Sequence, residues 1–217
     1  DRGRYLSDGL GLKIIRTTTD LKPYSSGEYI TPSKDGLLFK TIRDIEGRNP
    51  SLISSKQANE QYEQAGAMTY VDEYEHYGNL KGSNQFEYVR LGVVAGSVER
   101  GSDEIKRWGA LAGVVIETNE EKGMARSYGK FGDAILEGMR ESEVLQAIMR
   151  FGRAEKNGER GATVYVHTAA IPEWVPVKDR LFEAHLWGSG SGGMGRVLAA
   201  IDDCGEWRTS DVFSHPV

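Results

Sequence analysis

The chain contains a single cysteine, Cys204, so no internal disulfide can form. A reducing compartment such as the cytoplasm is the expected setting. No apolar run approaches the roughly 20 residues needed to cross a bilayer, so no membrane partner is expected. Positive charge is not in surplus: 27 Lys and Arg stand against 32 Asp and Glu, a net charge of -5. That excludes a surface basic all over and leaves room for a local basic strip. Metal-ligand spacings are missing too. His76, His167, His185 and His215 are scattered, and Cys204 has no CxxC partner. Ser97 lies in AGSVE, which is not a G-x-S-x-G nucleophile elbow. There is no G-x-x-x-x-G-K-[ST], so the chain has no P-loop of its own. The first residues, DRGRYLSDGLG, are polar and offer neither an initiator methionine nor the apolar core of a signal peptide. Asp1 therefore reads as a point inside a longer polypeptide.

What is present fits an ordinary soluble domain. Of 217 residues, 39% are hydrophobic and 27% charged, enough for one sizeable core plus an appendage. Four Val/Ile/Thr-rich runs have strand length: LKIIRTTT (12–19), PSLISS (50–55), LGVVAGS (91–97) and GATVYVHT (161–168). None alternates strictly, as expected of strands covered on both faces of a parallel sheet. Helix-patterned segments lie between them. TPSKDGLLFKTIRDIEG (31–47) offers Ser33 as an N-cap and Gly47 as a stop. SKQANEQYEQAG (55–66) ends at Gly66, and SDEIKRWGALAG (102–113) ends at Gly113. DAILEGMRESEVLQAIMRFGR (133–153) reads as two helices or as one interrupted near Gly138. Strands alternating with helices predict βαβ units and an open, mostly parallel sheet. In such sheets ligands bind at the carboxyl ends of the strands.

Composition changes after about Val177. VPVKDRLFEAHLW leads into GSGSGGMGR (188–196), a flexible linker by composition, and the DRLFEAHLW before the linker reads as a helix. Gly188, Gly190 and Gly193 satisfy G-x-G-x-x-G, but they follow a helical pattern instead of a strand, so linker is the better reading. The expected organisation is a main domain over 1–177, a helix and linker over 178–196, and the start of another small domain over 197–217.

QAIMRFGR (146–153) is the segment that calls for chemistry. On a helix, Gln146, Arg150 and Arg153 fall on one side at i, i+4 and i+7. Val144, Leu145, Ile148 and Met149 form the apolar side. Arginine stays charged, and its planar fork pairs bidentately with phosphate. Two arginines about a turn apart suit a triphosphate and the charge that develops during its cleavage. The alternative is a solvated helix face with surface ion pairs.

The segment resembles motif VI of superfamily 2 helicases, commonly Q-x-x-G-R-x-x-R. Gln146, Arg150 and Arg153 match, and Met149 stands where the family commonly has glycine. Upstream, YGNLKGSNQFEYVRLGVVAGS (77–97) resembles motif V, with Lys81, Gly82, Ser83 and Asn84 ahead of a strand and Asn84 in place of the commoner aspartate. Glycine there lets backbone approach a ligand, and short polar groups bind phosphates. PSLISSKQA (50–58) resembles the motif IV region. Its Ser54, Ser55 and Lys56 open a helix at a strand's carboxyl end, where a nucleic-acid phosphate can bind and where serine also serves as a simple N-cap. The resemblance covers roughly Leu12 to Val177.

The resemblance implies a three-layer RecA-like α/β domain, the second motor domain of an ATP-dependent helicase or translocase. A first RecA-like domain, N-terminal to Asp1 in the same polypeptide, would carry the P-loop and most of the contacts to ATP and Mg2+. Arg150 and Arg153 would then be catalytic, reaching the phosphates only when the cleft between domains closes. Gln146, Gly82 and Asn84 would touch nucleotide. Ser54, Ser55, Lys56, Lys81 and Ser83 would touch nucleic acid, DNA before RNA. EWRTSDVF resembles the start of a winged helix, with Thr209, Ser210 and Asp211 at a helix N-terminus. Two other readings stand beside this one. One is a non-catalytic RecA-like or Rossmann-like module that binds nucleic acid or a protein partner. The other is a small α/β enzyme holding a phosphorylated ligand through Arg150 and Arg153.

Overall fold

The computed structural model describes residues 2–27, 29–118, 127–155 and 158–180. Its centre is a six-stranded sheet in the order β3-β2-β4-β5-β1-β6, with every neighbouring pair parallel. The strands are β1 (Leu12–Arg16), β2 (Ser51–Ser54), β3 (Tyr74–His76), β4 (Leu91–Ala95), β5 (Ala162–His167) and β6 (Val177–Asp179). The helices are α1 (Arg2–Arg4, continued by a π turn over Tyr5–Gly9), α2 (Pro32–Glu46), α3 (Lys56–Gln64), α4 (Ser102–Leu111) and α5 (Gly129–Ile148). The fold is the expected three-layer α/β class, and the sheet is parallel throughout.

The topology explains the layers. From β1 the chain steps to β2 and then β3 in one direction along the sheet, and from β3 it returns through β4 and β5 in the other. Crossovers between parallel strands keep one hand, so the two directions must use opposite faces. The core divides accordingly. Leu38, Phe39 and Ile42 of α2 and Ala58 and Tyr62 of α3 pack with Ile15, Leu52, Val93 and Tyr165 on one face. Val144, Ala147 and Ile148 of α5 pack with Ile14, Ile53, Val94, Val164 and Val166 on the other. Tyr77, Leu80 and Phe86, from the β3–β4 connection, join that second face, as do Ala170 and Ile171 after β5. α4 lies outside α5, joined by Ile105, Ile116, Tyr128 and Leu136. Neighbouring positions in one strand thus serve different layers, which is why the strands read as continuous apolar runs.

Several local expectations change. β3 and β6 were not anticipated: each has three residues, sits at an edge and carries no apolar run. The segment around Gly138 is one helix without a break; no heavy atom comes within 4 Å of where a Cβ would stand there. An exposed helical glycine costs only about 1 kcal/mol, which a long packed helix absorbs. α2 is capped at Thr31 instead of Ser33, with Pro32 at its first position, and it stops at Gly47 in the left-handed region. The main domain does not end at Val177, because that residue begins β6; Lys178 and Asp179 belong to the sheet and not to a helix. The rest of the expected helix, the glycine-rich linker with Gly188, Gly190 and Gly193, and the winged-helix segment with Thr209, Ser210 and Asp211 lie outside the described residues. Among the described residues, no helix is long and apolar enough to cross a membrane.

Candidate functional site

The strands' amino edge brings together two segments 70 residues apart in sequence. The helix of QAIMRFGR ends sooner than its pattern suggests. α5 stops at Ile148, Met149 caps it, and tight turns follow, with Arg150 N–H donating to Ala147 O and Phe151 N–H to Ile148 O. Arg150 and Arg153 therefore lie beyond the helix, which corrects the expectation of a single helical face. Phe151 ends the helix by plugging into the core. It is 1% exposed, its ring sits 5.3 Å from that of Phe86, and it lies against Gly92, where a Cβ would come within 2.7 Å of the ring. Burying such a side chain contributes about 2–3 kcal/mol. Gly152 then reverses the chain at φ 60, and its own Cβ would stand 2.3 Å from Gly161 O. No other residue satisfies both demands.

This turn fixes Arg153. Its Nη2 donates to Ser83 O at 3.3 Å and to Asn84 Oδ1 at 2.5 Å. Its Nε is buried and has no acceptor among the described residues. Arg150 is half-buried, and no hydrogen bond or ion pair engages its guanidinium among the described residues. Gln146 is exposed and donates through Nε2 to Ser142 Oγ at 3.3 Å. Lys81 and Gly82 are exposed on the loop before β4, with Gly82 at φ 80, and the Ser83 hydroxyl accepts from Gln85 N–H. The structure thus joins Arg153 to Ser83 and Asn84. It leaves Arg150 and Lys81 as unengaged cations on the same edge.

Arg90 completes this edge and was not foreseen. Its guanidinium donates to the carbonyls of Gly152, Gly161, Ala154 and Glu159 at 2.5–3.2 Å. It pins the return of the chain after Phe151 to the start of β5. A lone arginine ahead of an apolar run carries no sequence signal for that role.

The strands' carboxyl edge is built differently. β1 sends its connection to one face and its neighbour β5 sends its own to the other, so their carboxyl ends mark the place where open α/β sheets bind ligands. Here the chain's own loop fills it. Ser97 N–H donates to Lys22 O, Ser97 Oγ to Leu21 O, Thr168 Oγ1 to Leu21 O, and Ala169 N–H to Asp20 O. Lys22 itself is held at φ 50. Beneath the loop lies a closed polar network. The hydroxyls of Tyr24 and Tyr62 donate to Asp35 Oδ2 at 2.8 and 2.7 Å, and His167 Nε2 stands 3.6 Å from Asp35 Oδ1. The opposite ring nitrogen, Nδ1, is 2.9 Å from Thr17 Oγ1. Burial first, and then the Asp35 charge, push the Tyr62 phenol well above its ordinary range. Hydroxyl, imidazole and carboxylate follow one another as in a nucleophile relay. Yet Thr17 is 0% exposed and Asp35 3%, so no substrate reaches them, and the network holds the fold.

Ser54, Ser55 and Lys56 lie at this second edge, across the sheet from the arginines. Ser54 is 0% exposed and donates to Ala95 O; Ser55 caps α3 by accepting from Ala58 N–H and donates to Tyr24 O. Both hydroxyls are spent inside the fold, so the expected phosphate contacts at Ser54 and Ser55 give way to structural roles. Lys56 is exposed, with Glu60 3.9 Å away. His76 stands beside Glu75 at the edge strand, and His185 and His215 lie outside the described residues. Among the described residues, no three His, Cys, Asp or Glu side chains gather into a metal-ion site. No protein-family model, curated protein or solved structure matches this chain.

Proposed function

We propose that this chain is the second motor domain of an ATP-dependent nucleic-acid helicase or translocase, and that its amino edge completes an ATP site built mainly by another domain. The observation that carries the reading is Arg150: a half-buried, unengaged guanidinium on the turn that also brings Arg153 against Ser83 and Asn84. An unengaged arginine beside a second one with a partnerless buried Nε fits an oxyanion. ATP with Mg2+ supplies that oxyanion, and the P-loop domain of the same polypeptide would hold most of it. On this side Arg150 and Arg153 would face the phosphates, with Gln146, Gly82 and Asn84 around the nucleotide. Of the residues expected at nucleic acid, Lys81 and Lys56 are the exposed cations, Lys56 with Glu60 3.9 Å away. The self-filled carboxyl edge supports the same reading, since a domain that completes a neighbour's site needs no nucleotide crevice of its own.

One observation favours the non-catalytic binding module instead: Arg153 is engaged by its own chain. Nucleic-acid-stimulated ATP hydrolysis by the natural polypeptide decides between the two. The motor reading expects Arg150→Ala to lower hydrolysis by about 10³–10⁵, the range of an arginine finger, with thermal stability kept. Hydrolysis unchanged in Arg150→Ala, or absent from the wild type, removes the reading.

A further inference from the structure

The Arg153 guanidinium is only partly satisfied. Nη2 is committed to Ser83 O and Asn84 Oδ1, while the Nε–H is shut away from solvent and meets no acceptor. A guanidinium grips an oxyanion best through two parallel N–H groups, for which Nε and an Nη are one natural pair. In the observed pose that pair is unusable, because one N–H is turned towards Asn84 and the other is closed off. A buried donor left without an acceptor costs stability, so this pose is a poor endpoint for the side chain.

The contact that keeps it there is easy to break. Asn84 is exposed, so water can replace its side-chain oxygen, whereas the other acceptor of Arg153 Nη2 is a backbone carbonyl, Ser83 O. Arg90 is the contrast. It holds four backbone carbonyls of the turn and cannot leave without unpinning it. The turn therefore has a fixed arginine, an unengaged one in Arg150, and a detachable one in Arg153.

We propose that Asn84 is an autoinhibitory latch. It holds Arg153 in a resting pose, and an oxyanion of the phosphate class must take Arg153 from it before both arginines can act together. The inference rests on the reading of Arg150 and Arg153 as phosphate-facing groups; it makes Asn84 the group that yields Arg153 to the phosphate, in place of a direct contact to the nucleotide, and so adds the regulation of that site.

The test follows arginine Nε–H resonances of the intact 217-residue chain, labelled with nitrogen-15, during titration with inorganic pyrophosphate. Arg153→Lys identifies the Arg153 signal by its loss. In Asn84→Ala the signal responds at about three- to tenfold lower pyrophosphate than in wild type, the range set by the net worth of one hydrogen bond. In Asn84→Asp a carboxylate grips the guanidinium harder, and the response moves to higher pyrophosphate than in Gln85→Glu, which adds the same charge to the same loop away from Arg153. General loosening of the fold would shift both Asn84 variants the same way, so a shared direction overturns the latch. So does a response at the reference concentration in both, that of wild type for Asn84→Ala and of Gln85→Glu for Asn84→Asp, or an Arg153 signal that stays fixed in all four proteins. The latch and the motor reading fail separately. Opposite shifts in the two Asn84 variants, with hydrolysis intact in Arg150→Ala, keep the latch and remove the motor. Hydrolysis lost in Arg150→Ala, with no dependence on Asn84, does the reverse.

Discussion

The two edges of the sheet invert the usual arrangement of an open α/β fold. At the carboxyl edge, where such sheets hold their ligands, polar side chains are abundant but nearly all spent. Thr17, Asp35, Ser54, Ser97, His167 and Thr168 are buried, and each has its bonds inside the chain. At the amino edge several polar groups are unspent among the described residues: Arg150 and Lys81 are unengaged, and Arg153 is half-used. Satisfied polar groups hold a structure, whereas unsatisfied ones in a folded chain ask what else they meet. The contrast teaches that richness in polar residues is a poor guide to a site and that unfinished bonding is a better one. It predicts that mutations at the carboxyl edge cost stability and that mutations at the amino edge cost activity.

Beyond the loss expected in Arg150→Ala, the largest effect should come from Asp35→Ala. Two tyrosine hydroxyls and an imidazole would lose the buried carboxylate they share. Breaking a buried charged network typically costs about 3–5 kcal/mol. Urea unfolding should show that loss at neutral pH, and whatever protein remains folded should bind pyrophosphate as the wild type does. A small stability change with lost anion binding would break the comparison, because it would place the ligand at the carboxyl edge.

Arg90→Ala should blur the two edges, which makes it the sharper probe. The turn would lose a donor to four carbonyls, at a cost of about 2–3 kcal/mol, since their partial exposure lets water replace some of the bonds. Because that turn also carries Arg153, the pyrophosphate response of Arg153 should weaken with it. The expected loss of stability with an untouched Arg153 response would mean that Arg153 is positioned by Phe151 and by its own bonds to Ser83 and Asn84, without Arg90.

How much of this was legible follows from the same contrast. β1, β2, β4 and β5 could be read because both their faces are covered, so their runs stay apolar. β3 and β6 could not, because edge strands of three residues leave too short a pattern. In EVLQAIMRFGR the apolar side was readable, with Val144 and Ile148 in the core, but the helix end was not. What stops α5 is Phe151 turning into a space that exists only because position 92, far away in sequence, is glycine. The resemblance set Asn84 and Arg153 at one nucleotide and Ser83 at nucleic acid, but nothing in the sequence said that Ser83 and Asn84 would bond Arg153 itself, and Arg90 had no signal at all. Asp35 was invisible for a different reason. Ser33, Lys34 and Asp35 read as a polar first helical turn, and only the tertiary fold brings Tyr24 and Tyr62 over the carboxylate.

The smallest effect should come from Tyr62→Phe, and its value lies in its pH dependence. The substitution removes one of two phenol donors to Asp35 and leaves Tyr24 in place, for a loss of about 1.5 kcal/mol at neutral pH, the low end for hydrogen bonds to charged groups. In the folded wild type, burial and the Asp35 charge hold the Tyr62 proton well above the ordinary phenol range. In the unfolded chain the same phenol titrates near pH 10. Above that pH the folded state binds more protons than the unfolded one, so stability falls as pH rises. The contribution is therefore whole below about pH 10 and is lost as pH climbs towards the folded value. Tyr77 and Tyr165 are raised too, mainly by burial, so wild type and mutant should both weaken in alkali. The mutant should weaken less steeply, by about 1.4 kcal/mol per pH unit, one proton's worth, so that the two stability curves converge as alkali deepens. Parallel curves from pH 9 to 11.5 would mean that the Tyr62 phenol ionises as easily folded as unfolded, and the carboxyl edge would then be more open to solvent than its bonding indicates.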